Sequence, residues 1–279
     1  MASKATRSGG RAAPPKAETR PAPKVGPKAA RGGGAGRGGG RGRGRGAAST
    51  SRNLLSNLVL VFPLFLVYQI GVLLTYPLVN GADLLTRFLL QNLGLTRSAY
   101  LGYSAAAAGV FVIAVLVLRR RQSLHLGMFV PVLLESAIFA MTMGSAIVFV
   151  MTRAFGINPR LATGLAGQGL VTRIVMSIGA GVWEELTFRL VILGAVMLVC
   201  ERLIGMRRGL ALACAFGLSS LLFSAAHHIP PYGDPLELGV FTFRVLAGLV
   251  FASLFWFRGF AVAVYTHALY DLYVLIVRG

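Results

Sequence analysis

From residue 53 onward the chain alternates long apolar runs with short polar breaks. A helix needs about 20 apolar residues to cross the hydrocarbon core of a bilayer. Seven runs reach or approach that length: 54–78, 99–118, 129–151, 182–200, 210–226, 238–257 and 259–277. The pattern predicts an all-α fold, a polytopic transmembrane helical bundle of seven to eight membrane spans. Segment 83–95 is shorter and amphipathic, and it reads as a helix lying in the interface. Segment 161–178 reads either as an interfacial helix or as the start of the next span. One helix over 171–201 would be roughly 46 Å long at the α-helical rise. That overshoots a core about 30 Å thick, so a break or steep tilt is expected near Gly179 and Gly181.

Composition agrees with that pattern. The 279 residues are 55% hydrophobic and 13% charged, with a mean hydropathy of +0.69, which is the profile of a multi-pass membrane protein. The net charge of +19 is uneven, because residues 1–52 hold 13 of the 28 Lys and Arg and one acid, Glu18. That segment is rich in Pro, Gly and Ala and lacks the large apolar residues needed for a core. It reads as a disordered basic tail, with 53–164 as N-terminal transmembrane helices and 165–279 as the transmembrane domain that carries the chemistry. No apolar stretch follows Met1, so a cleaved signal peptide is not expected. The positive-inside rule keeps the tail cytoplasmic at the cell membrane and puts Arg119 to Arg121, Arg202, Arg207, Arg208 and Arg258 on the same side. The loop 228–237 then falls outside, with Arg153 and Arg160 as exceptions. The Arg-Gly repeats at 37–46 are read as a solvated topology signal or a grip on anionic lipid, in preference to a nucleic-acid contact. Cys200 and Cys214 are too few for a disulfide framework and read as buried free thiols.

Against that background, a few ionisable residues inside the apolar runs stand out. Each costs roughly 2.5–3.5 kcal/mol at the centre of a membrane helix. They form three motifs, Glu184-Glu185-x-x-x-Arg189, Phe223-x-x-x-His227 and His267-x-x-x-Asp271. Glu185 and Arg189 share a helix face at i, i+4 and can pair, while Glu184 points about 100° away and is left for another task. A helix starting near Val182 would put both glutamates in its first turn, and His227 closes the last turn of the following, oppositely directed helix. The motifs would then meet at one membrane face. A carboxylate in a cavity of low dielectric can take a proton from water, and a neutral His can hold that water. His267 and Asp271, again i, i+4, can donate to a carbonyl oxygen as it becomes negative, Asp271 only when protonated. Together these are the parts of amide hydrolysis. Taken singly, the motifs also read as a structural ion pair, a helix cap and a polar interhelical lock. Glu135 is a separate intramembrane acid, read as an interhelical contact. Gly179, Gly181, Gly217 and Gly248 read as sites of close helix packing.

At these residues the chain resembles the CPBP family of intramembrane proteases, also called the CAAX protease and bacteriocin-processing or Abi family. The stretch Trp183-Glu184-Glu185-Leu186-Thr187-Phe188-Arg189 looks like its EExxxR motif, and the stretch from Ser219 through Phe223 to His227 like its FxxxH motif. The segment from Gly248 through Arg258-Gly259 to His267-Ala268-Leu269-Tyr270-Asp271 looks like its closing HxxxN or HxxxD motif. The likeness covers about 165–279. It implies that Glu184 activates the attacking water and His227 positions it. His267 and Asp271 would form the oxyanion side, with Glu185, Arg189 and Phe223 in support. Members have been described both as metalloproteases and as metal-free glutamate proteases. A zinc ion, if used, would take Glu184, His227, His267 and Asp271; without HExxH the chain reads as metal-free, with no cofactor. Asp271 departs from the Asn of the better-studied eukaryotic prenyl-protein proteases, and an ionised Asp there would have to orient His267 or serve a metal. The expected function is an intramembrane endopeptidase acting on a membrane-associated protein or peptide, by CAAX-type trimming or by peptide maturation and immunity. The competing classes are a non-catalytic scaffold or immunity protein and a proton-coupled transporter, the latter disfavoured by the lack of two matching halves.

Overall fold

A computed structural model describes residues 53–94, 96–158, 168–229, 233 and 235–277. The basic tail read at 1–52 lies outside the described residues, as does part of the 161–178 segment. Eight helices follow in chain order: α1 (Leu54–Thr75), α2 (Leu84–Leu93), α3 (Arg97–Arg119), α4 (Phe129–Ala154), α5 (170–203), α6 (Arg208–Ala226), α7 (Leu238–Arg258) and α8 (Phe260–Val277). No strand occurs among the described residues. The protein is an all-α bundle.

Local chemistry sets several boundaries. Asn53, Asp83 and Thr96 cap α1, α2 and α3 by accepting a hydrogen bond from the backbone N–H three residues on. Gly94 closes α2 in the left-handed conformation. At 10 residues α2 is too short to cross, and it exposes Leu84, Leu85, Phe88 and Leu93. Gly259, at φ 106°, makes the one-residue turn between α7 and α8, a conformation that a Cβ would strain.

The expected break in α5 is absent. The chain stays helical from 170 to 203, with α-helical windings at Leu170–Gly179 and Gly194–Leu198. Between and after them it widens into π-helix over Ala180–Glu184, Leu186–Leu193 and Val199–Leu203. Wider i→i+5 turns change the helix in register without ending it. Segment 170–178 is therefore the beginning of this helix, and Glu184 and Glu185 lie in its middle, not in its first turn.

Helix α8 is the hub. It packs against α4, α7, α5 and α1, and every residue from 259 to 268 is buried, as expected of a helix that is apolar all round. Hydrogen bonds tie its backbone and side chains to its neighbours. Asn57 Oδ1 accepts from Ala261 N at 2.7 Å, the Leu60 carbonyl accepts from Tyr265 Oη at 2.8 Å, and Ser136 Oγ donates to the Val262 carbonyl at 3.3 Å. Glu135 and Arg258 form a two-point pair between α4 and α7, the interhelical contact anticipated for Glu135.

The outside of the bundle is apolar. Five helical segments are long and apolar enough to span a membrane: Leu54–Thr75, Arg97–Arg119, Leu126–Ala154, Arg208–Ala226 and Leu238–Arg258. Helix α5 and the shorter apolar α8 pack among them. Helix α3 is the extreme case. Only Tyr100 is buried, while Leu101, Val110, Ile113, Leu116 and Val117 are exposed. So large an apolar surface is costly in water and normal against lipid. The protein is a multi-pass membrane protein. Cys200 and Cys214 are free thiols, the first buried and the second half-buried.

Helices α5 and α8 touch backbone to backbone at Gly181. A Cβ there would lie 2.7 Å from the Val264 carbonyl oxygen and 2.9 Å from Ala268 N. Gly217, grouped with the packing glycines on sequence grounds, faces open space. Gly181→Ala is therefore expected to destabilise the solubilised protein by about 1–3 kcal/mol, the usual cost of overpacking. Gly217→Ala should be neutral or raise stability by up to about 1 kcal/mol through helix propensity. Thermal melts in detergent check this, and equal melting temperatures for the two variants would contradict the close approach.

Candidate functional site

Three helices and one loop carry the residues that converge where the three motifs meet. Helix α5 contributes Glu184, Glu185 and Arg189, the end of α6 contributes Phe223 and His227, and α8 contributes His267 and Asp271. The α1–α2 loop contributes Asn80.

The closed side of the site is built on Glu185. Glu185 and Arg189 are both fully buried, with Arg189 Nε 3.2 Å from Glu185 Oε2. The other oxygen, Glu185 Oε1, accepts a hydrogen bond from His267 Nδ1 at 2.7 Å. Arg189 Nη2 donates to the Gly248 carbonyl on α7 at 3.3 Å. The guanidinium sits 4.4 Å from the ring centre of Phe223 and 5.4 Å from that of Phe251, where the ring faces favour a cation. The His267 ring stacks on Phe251 at 4.3 Å and meets Phe223 edge-on at 5.9 Å. Phe223 thus serves as packing for both Arg189 and His267.

The open side is built on Glu184, which is 8% exposed. Its Oε2 lies 3.4 Å from His227 Nε2 and 3.8 Å from His267 Nε2. Its Oε1 accepts from Asn80 Nδ2 at 3.4 Å. Asp271 Oδ2 lies 3.7 Å from His267 Nε2. The side chains of His227 and Asp271 keep 21% and 30% of their surface accessible, so access to the site is past these two residues.

The partners fix which nitrogen carries each proton. His227 Nδ1 is 2.7 Å from the Phe223 carbonyl, which can only accept. A neutral His227 therefore presents a bare Nε2 to Glu184 Oε2. Two acceptors facing each other at 3.4 Å need a proton between them or a water bridging them from one side. His267 has the same design, with Glu185 holding Nδ1 and Nε2 turned toward Glu184 and Asp271. A carboxylate or carbonyl on the far nitrogen is how proteins orient imidazoles that work through the near one.

The four residues named as zinc donors on sequence grounds are thus neighbours. Among the described residues, however, no group of three or more His, Cys, Asp or Glu is arranged to hold a metal ion.

Two members of the cluster were not anticipated. Asn80 is a single polar residue in a loop and has no spacing relation to the motifs. Arg244, half-buried on α7 one turn before Gly248, puts its charge within electrostatic reach of Glu184 and Asp271. It was visible in principle as an arginine inside an apolar span. Around Asn80, the Asp83 carboxyl is pushed up by burial, and hydrogen bonds from Thr86 and Tyr68 act in the opposite sense.

Residues 166–273 match the family model described as Rce1-like, Type II CAAX prenyl endopeptidase Rce1-like. All three motifs lie inside the matched segment, which bears out the protease resemblance read from them. No curated protein and no solved structure matches the chain.

The buried triad makes a separable prediction. Glu185→Gln strands the Arg189 charge, and breaking a buried pair in this way costs about 3–5 kcal/mol. The double variant Glu185→Leu/Arg189→Met should recover most of that loss, because it removes both charges together. Denaturation of the two variants in detergent checks this. A Glu185→Gln variant as stable as the parent would contradict the buried pairing.

Proposed function

We propose, with the Rce1-like segment 166–273 as the premise, that the protein is an intramembrane endopeptidase that hydrolyses a peptide bond of a membrane-associated protein or peptide. The supporting observation is the convergence of Glu184 Oε2 with the Nε2 atoms of His227 and His267, at 3.4 and 3.8 Å. A water beside the pair hydrogen-bonds to both Glu184 Oε2 and His227 Nε2. Glu184 takes a proton from it, and the water oxygen adds to the scissile carbonyl carbon. His267, protonated on both nitrogens and balanced by Glu185, donates from Nε2 to the carbonyl oxygen as that oxygen becomes negative. Glu184 then returns its proton to the leaving nitrogen as the carbon–nitrogen bond breaks. The products are a new carboxylate and a new amine. Asp271 steadies the Nε2 side of His267 at the rim of the site. Arg189 and Phe223 hold the closed side, and no step is assigned to a metal.

The substrate reaches the site from the bilayer. Either a C-terminal tail of CAAX type or a short peptide undergoing maturation suits such a site. The protein sits in the cell membrane with its basic tail in the cytoplasm, as a solvated topology signal or a grip on anionic lipid. Nucleic acid is not assigned as a partner.

A cleavage assay on purified protein in lipid tests this reading. The substrates are a prenylated C-terminal peptide and an unprenylated membrane-anchored peptide, each incubated with and without a chelator. Glu184→Gln and His227→Ala are expected to lose roughly 10²- to 10⁴-fold in kcat, the usual contribution of a positioned base, with activity unaffected by chelator. Cleavage at the parent rate by both variants would sink the assignment and favour a scaffold role. Loss of activity with chelator and recovery with zinc would overturn the metal-free mechanism.

A further inference from the structure

The matched protease segment begins at residue 166, yet one group touching Glu184 comes from far outside it. Asn80 lies in the loop between α1 and α2 and is 8% exposed. Its side-chain orientation is set by its surroundings. Asn80 Oδ1 accepts from Ala82 N at 2.8 Å, so the oxygen end of the amide is already used. The nitrogen end must then face the other way, toward Glu184 Oε1 at 3.4 Å. An amide whose oxygen is held by an N–H donor cannot be flipped without losing that bond.

The loop carrying Asn80 is braced as well. Asn80 N donates to Tyr68 Oη at 3.0 Å, and Tyr68 Oη donates to Asp83 Oδ2 at 3.1 Å. Asp83 Oδ1 also accepts from Thr86 N at 3.2 Å, which fixes the start of α2. Tyr68 and Asp83 are fully buried, and the Tyr68 ring packs edge-on against Trp183, next to Glu184, at 6.5 Å. A chain of hydrogen bonds therefore runs from the cap of α2, through a tyrosine of α1, to the carboxylate in the middle of α5.

We infer that Asn80 is a positioning residue for Glu184. It holds Oε1 so that Oε2 faces His227, His267 and the water, and it favours the ionised carboxylate that can act as a base. This inference rests on Glu184 being the base. A donor on a carboxylate stabilises the charged form, and its loss favours the protonated form. The 3.4 Å separation is long for a hydrogen bond and would shorten with substrate in place, as catalytic contacts often do.

The alternative is a purely structural Asn80 that holds its loop through Ala82. Two substitutions separate the readings by their order. Asn80→Asp is nearly isosteric and keeps an oxygen for Ala82 N, but it sets a second carboxylate against Glu184. Asn80→Ala removes both contacts and adds no charge. Positioning makes Asn80→Asp the more damaging change, whereas a structural role makes it the milder one. Tyr68→Phe, which loses only the hydroxyl bracing Asn80, should fall between the parent and Asn80→Ala.

The experiment measures kcat and KM across pH for the full chain in lipid, with a melting temperature for each variant. Asn80→Ala is expected to lower kcat roughly ten- to a hundredfold, in keeping with one hydrogen bond to a charged group, with KM little changed. The acid limb of its kcat/KM profile should move to higher pH, and Asn80→Asp should lose more and move further. Parent-like kinetics in both variants, or a milder effect from Asn80→Asp than from Asn80→Ala, would overturn the inference. Glu184→Gln, run alongside, keeps the two questions apart. If it is inactive while the Asn80 variants are normal, only the positioning role fails; if it is as active as the parent, the base assignment itself fails.

Discussion

A carboxylate that no water reaches must find its counter-charges within the protein, and Glu185 finds two. One oxygen meets Arg189 and the other meets His267, so a single side chain on α5 is tied to its own helix and to α8. Arg189 extends the tie to α7 through the Gly248 carbonyl, and the faces of Phe223 and Phe251 close around it. In a low-dielectric interior none of these charges can be withdrawn singly without heavy cost. The arrangement therefore fixes how three helices sit against one another, and it fixes which way the His267 ring points.

The rest of the site depends on the shape of α5. Adjacent residues on a helix point about 100° apart, which separates the two glutamates into different surroundings. Glu185 faces the sealed side, and Glu184 faces the side where His227 and Asp271 keep some accessible surface. The π-helical turns on either side of residue 185 set that register. Such turns are rare and recur at functional sites. They also let a helix of 34 residues, 170–203, pass the two glycines without breaking, while Gly181 brings α5 into backbone contact with the hub helix α8.

Much of this was legible in the sequence because membrane folding leaves strong marks. The apolar runs located the helices, and the cost of intramembrane charge singled out the motif residues. Spacing paired Glu185 with Arg189 correctly. What the sequence hid had physical reasons. An i→i+5 turn has no residue signature of its own, so a break or steep tilt was expected where the helix instead widens, although the close packing at Gly181 was read correctly. Spacing within a helix also says nothing about contacts across helices, so the bond from His267 to Glu185 was not foreseen. Asn80 was invisible for the same reason: a loop amide acquires its meaning only from what the fold sets beside it. Gly217 shows the converse error, since a glycine in a membrane helix need not mark a contact.

The account makes Glu184 a base acting on water, not a nucleophile acting on the substrate. The two routes share most of their geometry, so residue loss alone does not separate them. The direct test is a single turnover in water labelled with heavy oxygen, followed by mass spectrometry of both the product and the protein. The account predicts one labelled oxygen in the new carboxylate of the product and none in the Glu184 side chain. Label appearing in Glu184, or a new carboxylate formed without it, would show a covalent intermediate on the glutamate and contradict the activated-water mechanism.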